Sequence, residues 1–189
     1  VDQAWVVNLG YGSLDELTAD FEGARAGRLP EPRPNAAVNS LYDPTDAPEG
    51  HATGLLRQFA PYAIAGSGEG EWANVGRWYG HRCIEAWKRF APNLGDDVIR
   101  EWVPYTPHEI SQKLPNMVRG DWMMGEISLD NMLDQRPLPE LSQYRTPIDA
   151  LYLAGSFCHP GGGITGAPGY IAAQVIADDL GLSKWWEHA

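Results

Sequence analysis

The residues best suited to chemistry lie near the C-terminus, in Leu151-Tyr152-Leu153-Ala154-Gly155-Ser156-Phe157-Cys158-His159-Pro160-Gly161-Gly162-Gly163-Ile164-Thr165-Gly166-Ala167-Pro168-Gly169. Residues 150–154 are apolar and read as a short strand. The chain then turns on repeated glycines. Ile171, Val175, Ile176 and Leu180 mark one face of a following helix, and Gly181 is its natural stop. Strand, glycine loop and helix in this order bring bare backbone N–H groups and a helix N-terminus up to an anionic or electron-rich ligand. Gly161, Gly163 and Gly166 even satisfy G-x-G-x-x-G. That fingerprint, however, opens a βαβ unit and needs a second strand and an acid about 20 residues further on. Only 23 residues follow Gly166, and the helix uses most of them. The loop therefore reads as a closing unit, lent to a cofactor that another polypeptide segment mainly holds.

The other reactive side chains carry weaker signals. His159 has the types around it of a turn residue whose ring caps backbone groups, with a cofactor-tuning or base role as the alternative. Cys83 and Cys158 stand 75 residues apart, which suits neither a disulfide framework nor a paired metal motif. They read as two reduced thiols in a reducing, cytoplasmic setting, Cys158 being a buried thiol rather than a covalent tether. His51, His81, His108 and His188 are scattered without ligand spacing, so no metal is expected. No nucleophile elbow supports hydrolase chemistry. Glu69 with Glu71, and Asp96 with Asp97, read as solvated charges. Trp122, Met123 and Met124 either line an apolar cavity or pack in a core. No catalytic acid or base stands out.

These residues need elements to hold them. Residues 4–9 read as a buried strand, and Ser13-Leu14-Asp15-Glu16 as the capping box of a helix. The three prolines of residues 27–34 make an extended connection. Strands are expected over 37–42, 51–60 and 98–105. Between them, Trp72, Val75, Trp78, Tyr79, Cys83, Trp87 and Phe90 recur at helical steps, an aromatic stripe assigned to core. Thr106-Pro107-His108-Glu109 supplies an N-cap, a proline and a capping glutamate for a short helix. Residues 114–147 are irregular, a length of loop that usually serves function.

Composition narrows the classes. The formal net charge is −11 over 189 residues, which argues against nucleic acid and anionic membrane surfaces. No apolar run reaches bilayer length. Hydrophobic residues at 43% allow a real core. Gly 21 and Pro 15 point to much irregular backbone, and Trp 8 to broad aromatic surfaces. The strand already under way at the first residues suggests a piece of something larger.

The stretch Leu151-Tyr152-Leu153-Ala154-Gly155-Ser156, then His159-Pro160-Gly161-Gly162-Gly163, then Gly166-Ala167-Pro168-Gly169 resembles the C-terminal flavin-binding segment of the phytoene-desaturase-like FAD-dependent oxidoreductases. More narrowly it resembles the branch around the pyridine nucleotide-disulfide oxidoreductase domain-containing protein 2. The likeness is collinear upstream: Ser40-Leu41-Tyr42-Asp43-Pro44-Thr45, Ala47-Pro48-Glu49-Gly50, Phe59-Ala60-Pro61-Tyr62, Phe90-Ala91-Pro92, Ser128-Leu129-Asp130, Arg136-Pro137 and Tyr144-Arg145-Thr146-Pro147-Ile148.

The resemblance implies a two-domain flavoenzyme with an amine-oxidase-like, α/β (α+β) fold. Residues 1–145 would be part of a substrate-binding domain, an antiparallel or mixed sheet with helices. Residues 146–189 would be the closing strand, loop and helix of a Rossmann-like FAD-binding domain. The N-terminal dinucleotide fingerprint would belong to a segment or subunit outside this chain, the expected partner. By position, Gly155, Ser156, His159, Pro160, Gly161, Gly162, Gly163, Ile164, Thr165 and Gly166 would contact FAD. Ser156 stands where many related flavoproteins carry an acid, and offers an uncharged hydroxyl instead. The implied activity is dehydrogenation or desaturation of a small apolar organic substrate, the flavin taking the hydride. Two other readings compete: a partner-binding module that kept the fold without the chemistry, and a nucleotide switch, which here would lack a P-loop lysine.

Overall fold

The computed structural model of this chain describes residues 6–187. It divides into two compact units, Val1–Lys113 and Leu114–Ala189. The elements are helices with one small antiparallel sheet, an architecture consistent with the expected α/β (α+β) class.

In the first unit, β1 (Val6–Asn8), β2 (Asn35–Ala37) and β3 (Leu55–Arg57) form a three-stranded antiparallel sheet in the order β1-β2-β3. Val6 pairs with Ala37 and Asn8 with Asn35 on one side, and Ala37 pairs with Leu55 and Asn35 with Arg57 on the other. The expected first strand is observed over Val6–Asn8, half-buried to exposed where a buried strand is expected; residues 4 and 5 lie outside the described residues. The other two strands differ from expectation. Residues 39–41 turn into a 3₁₀ helix, because Leu41 and Tyr42 donate back to the Val38 and Asn39 carbonyls instead of to a neighbouring strand. The strand expected over 51–60 is limited to three residues, since its partner β2 offers only three.

Helix α1 (Leu14–Arg25) starts at Ser13, whose Oγ accepts from the Glu16 N–H at 3.2 Å. The Glu16 carboxylate reaches one residue further back than in a capping box, to the Gly12 N–H at 3.0 Å. Gly27 ends the turn after α1 at φ +79°, and a Cβ there would stand 2.7 Å from the Ala65 nitrogen, so only glycine fits.

The long helix is α2 (Trp72–Lys88). Its Trp72, Tyr79 and Cys83 are the buried core of this unit, with Leu29, Leu56, Ala60, Ile64 and Val75 packed around them. The polar ends of these aromatics are satisfied: Tyr79 donates to the Pro30 carbonyl at 2.9 Å, and Trp72 Nε1 to the Tyr62 carbonyl at 3.0 Å. The expected stripe is thus core at Trp72, Tyr79 and Cys83 but not along its whole length. Trp78 and Phe90 are exposed, and the Arg82 guanidinium lies 5.3 Å over the Trp78 ring.

Residues 98–105 are not a strand. The alternation is real, but the extended segment lies on α2 instead of a ladder. Gly76 and Gly80 make this approach possible: a Cβ on Gly76 would meet Thr106 Cγ2 at 2.6 Å, and one on Gly80 would meet Trp102 Cζ3 at 2.9 Å. Thr106 then caps α3 (Pro107–Lys113) as expected. Its N–H and Oγ1 donate to Glu109 Oε2 at 2.9 and 3.0 Å, and Oγ1 accepts from the Glu109 N–H at 3.2 Å.

In the second unit, residues 114–147 form a series of short 3₁₀ turns. The core is Tyr144, Cys158 and Ala172, packed with Leu153, Phe157, Ile171 and Val175. Helix α4 (Ala167–Leu180) has Gly166 as N-cap at φ 69° and Gly181 as C-cap at φ 62°. The helix and its glycine stop are as expected. The strand expected over 150–154 is reduced to a single antiparallel bridge between Arg145 and Tyr152. Its bonds run from Leu153 N–H to Tyr144 O and from Thr146 N–H to Leu151 O. With one neighbouring segment and a positive φ at Ala150, the backbone has no second edge among the described residues on which to extend a ladder.

Among the described residues, no helix is long and apolar enough to cross a membrane.

Candidate functional site

The glycine turn is held from three sides. Arg145 grips the Asp179 carboxylate of α4 with Nε and Nη2 at 2.8 and 2.7 Å, and the Tyr152 hydroxyl donates to the same carboxylate at 3.0 Å. The Arg145 guanidinium, chiefly through its hydrogen bonds, holds the Asp179 carboxyl below the ordinary aspartate range. The Tyr144 hydroxyl donates to the His159 carbonyl. The bridge segment and the turn are thus fastened to the helix that follows.

The His159 ring accepts, through Nδ1, the Leu133 N–H at 3.2 Å. A ring nitrogen that accepts carries no proton, so the neutral imidazole has its proton on Nε2. This is the backbone-capping geometry the sequence suggests for a histidine in a turn. Cys158 is 1% exposed, and burial pushes its thiol up against a smaller opposite pull from Arg136. A protonated, buried sulfur is poorly suited to attack or tethering.

Beyond His159 the loop opens to solvent. Gly161, Gly163 and Gly166 take φ of 100°, 113° and 69°, and the non-glycine Ile164 takes φ 60° with its side chain 100% exposed. A β-branched residue at positive φ is strained by general sterics. Thr165 Oγ1 accepts from the Ala167 N–H at 3.2 Å, and the first helical bond runs from Tyr170 to Gly166. The N–H groups of Gly162, Gly163, Ile164, Thr165 and Gly166 make no hydrogen bond to another described residue. Five unsatisfied donors in front of a helix N-terminus are what a phosphate or flavin edge would accept from.

The structure therefore brings Gly162, Gly163, Ile164, Thr165 and Gly166 together as one donor-rich turn, exposed from Gly163 onward, with Gly161 buried at its base and its N–H donated to the Cys158 carbonyl at 2.7 Å. Gly155, at φ 112°, and Ser156 lie at its beginning, with His159 and Pro160 in the tight turn between. Ser156 is drawn inward: a Cβ on Gly162 would stand 3.3 Å from Ser156 Cβ and 3.5 Å from Met123 Sδ. Met123 packs on the loop, while Trp122 is exposed. Asp121 ties this turn, accepting from the N–H of Met123 and of Gly125 at 2.9 and 2.8 Å.

One residue of the site carries only a weak sequence signal. Arg136 is 1% exposed. It donates to the carbonyls of Met123 and Ser156 at 2.7 Å each, of Asn131 at 3.3 Å and of Met124 at 3.5 Å. Its guanidinium lies against Gly161, 3.8 Å (Nε) from where a Cβ would be. The Arg136-Pro137 pair is visible as a motif, but nothing local marks the arginine as buried.

A cleft of about 380 Å³ in the first unit includes Arg77, His81, Lys88, Asp96 and Trp102. Three of its charged side chains are engaged with neighbours. Lys88 pairs with Glu85 and Asp96, and Arg77 stacks 4.7 Å over the Trp102 ring. It contains no residue of the glycine loop.

Curated proteins align with the chain, among them the following three. A limonene dehydrogenase subunit of Castellaniella defragrans is 33% identical over 191 aligned positions, covering 98% of this chain and 34% of that protein. The pyridine nucleotide-disulfide oxidoreductase domain-containing protein 2 of Rattus norvegicus is 36% identical over 168, and that of Mus musculus 36% over 163. Each of these covers 85% of this chain and 27% of the relative. The chain thus spans about a third or less of the relatives it matches, and their names are those of oxidoreductases. No protein-family model matches the chain, and no solved structure does.

Proposed function

We propose that this chain is the C-terminal portion or subunit of an FAD-dependent dehydrogenase that oxidises a small apolar organic substrate. The observation that carries the reading is the 161–166 turn, with its positive-φ glycines and free N–H groups ahead of α4. The similarity to a protein named as a limonene dehydrogenase component supports the reaction class, and limonene, a hydrocarbon, supports the substrate's apolar character. Bound FAD would supply the hydride acceptor.

In this reading Gly155, Ser156, His159, Pro160 and residues 161–166 hold the cofactor by backbone donors. A chain of net charge −11 recognises phosphate through amides more readily than through a basic face. Residues 146–189 close a Rossmann-like FAD-binding domain, and residues 1–145 belong to the substrate domain. The N-terminal fingerprint comes from a further segment or partner chain. The lengths of the relatives support this. So do exposed Val118, Trp122, Leu129, Leu133, Ile164 and Trp185, apolar surface of the kind that a partner covers. Two buried thiols suit a reducing, cytoplasmic setting.

The test is reconstitution of the full-length protein, or of this chain with its complement, with FAD. A yellow complex whose flavin bleaches on anaerobic addition of an apolar terpene-like substrate is expected. A colourless complex refutes the flavin reading. A coloured complex that no such substrate bleaches favours a non-catalytic module.

A further inference from the structure

Arg136 poses an electrostatic question that the proposed function leaves unanswered. A guanidinium keeps its proton in a protein, so a full positive charge is fixed in a side chain 1% exposed. Among the described residues its hydrogen-bond partners are all carbonyl oxygens, those of Met123, Met124, Asn131 and Ser156. Its Nε–H, also buried, has no partner. No carboxylate is among those partners. Carbonyl dipoles offset part of a buried charge, and such a charge is ordinarily paired with an opposite one.

The missing negative charge has an obvious place. The same guanidinium binds the Ser156 carbonyl at the head of the glycine turn and lies against Gly161 within it. The next five residues present N–H groups without partners. Donors and cation therefore adjoin on one loop.

Resting on the flavin reading, we propose that Arg136 is the positioning cation of the glycine loop. Its buried charge makes residues 161–166 a site for an anionic group. That group is either the phosphoryl pair of the dinucleotide or the ring that gains negative charge on reduction. Arg136 acts through the loop and through its field, and the same fork fixes the Trp122–Met124 turn against the cofactor side by holding Met123 O and Ser156 O together.

The experiment uses the full-length protein, wild type, R136K and R136M, with three readouts: affinity for FAD, affinity for riboflavin, and the midpoint potential of the bound flavin. If the charge meets the phosphoryl groups, R136M binds FAD about tenfold more weakly and riboflavin unchanged, the loss of one charge-assisted interaction. If it meets the reduced ring, R136M loses about tenfold in the ratio of reduced to oxidised affinity, a fall of about 30 mV for a two-electron couple. R136K keeps the charge without the fork. It should preserve the FAD-to-riboflavin ratio and the potential while melting earlier. An R136M with wild-type ratio and potential overturns the proposal. So does an R136K that loses both despite folding, and R136Q, neutral but polar, takes the place of R136M with the same outcomes if R136M does not fold. A wild-type protein that binds neither flavin overturns the flavin reading and this proposal with it; a flavin-bound wild type with an indifferent R136M overturns only the proposal.

Discussion

Gly76 on α2 is a position where helix propensity and packing make opposite demands. In an exposed helix, Gly76→Ala would stabilise by about 1 kcal/mol, because alanine loses less backbone freedom on folding. Here a Cβ at residue 76 would stand 2.6 Å from Thr106 Cγ2. Thr106 cannot swing aside, since its Oγ1 is engaged twice with Glu109 and the residue is buried. Forcing a methyl into a filled site costs about 1–3 kcal/mol. Set against the helix gain, G76A should lose about 1 kcal/mol. Thr106→Ser removes Cγ2 and keeps the capping hydroxyl. In the wild-type background it should cost about 1 kcal/mol for a lost buried methyl. In the G76A background it should instead stabilise, because the remaining neighbours of the new Cβ stand at 3.9 and 4.0 Å. The double variant returns to about wild-type stability, a coupling of about 2 kcal/mol. Urea unfolding of the four proteins, compared at equal slope, measures it. A G76A protein more stable than wild type, or a cycle additive within error, would refute the claim that residues 102–106 sit on the glycine face of α2.

Three further outcomes follow from the geometry. Asp179 has its carboxyl held down by Arg145, so its stabilising contribution is complete above the ordinary aspartate pKa of 3.8 and is lost as pH falls through the depressed folded value. Melting temperature should therefore decline below about pH 4, and Asp179→Asn should flatten that acid limb; an unchanged limb would remove Asp179 from the account. Cys83 and Cys158 are buried, and burial pushes the Cys83 thiol up to about 11 and raises Cys158, so a thiol reagent at neutral pH should label both only as fast as the protein opens. Rapid labelling of either in the native state contradicts this. Ile164→Gly removes a fully exposed side chain held at φ 60°, and should stabilise the flavin-free protein by up to about 1 kcal/mol. The same change should weaken flavin or substrate binding if the side chain packs on a ligand, read by titration beside thermal unfolding.

How far the sequence alone reaches can be seen element by element. Local signals were sufficient wherever the cause is local. The Ser13 and Thr106 caps, the Gly166 and Gly181 ends of α4, and the helical period of α2 all appear where the residues place them. The reason is that a cap or a helix turn depends on residues three or four apart. The glycine turn was legible for the same reason, as positive φ is a property of single residues.

Strands were legible only in part, because a strand is completed by a neighbour and not by its own pattern. Residues 98–105 alternate well enough to be one, yet Gly76 and Gly80 on α2 claim them. Residues 150–154 find a single bridge to Arg145. The burial of Arg136 was wholly beyond reach of the sequence. Its partners are carbonyls 5 to 20 residues away, and a carbonyl is the one group every residue offers, so no pattern of residue types announces it. The sequence alone determined the helices, their ends and the chemistry of a donor-rich glycine loop. Only the tertiary structure decided which segments pair, which lie on a helix instead, and that a buried cation lies against that loop, because those outcomes depend on which surfaces meet.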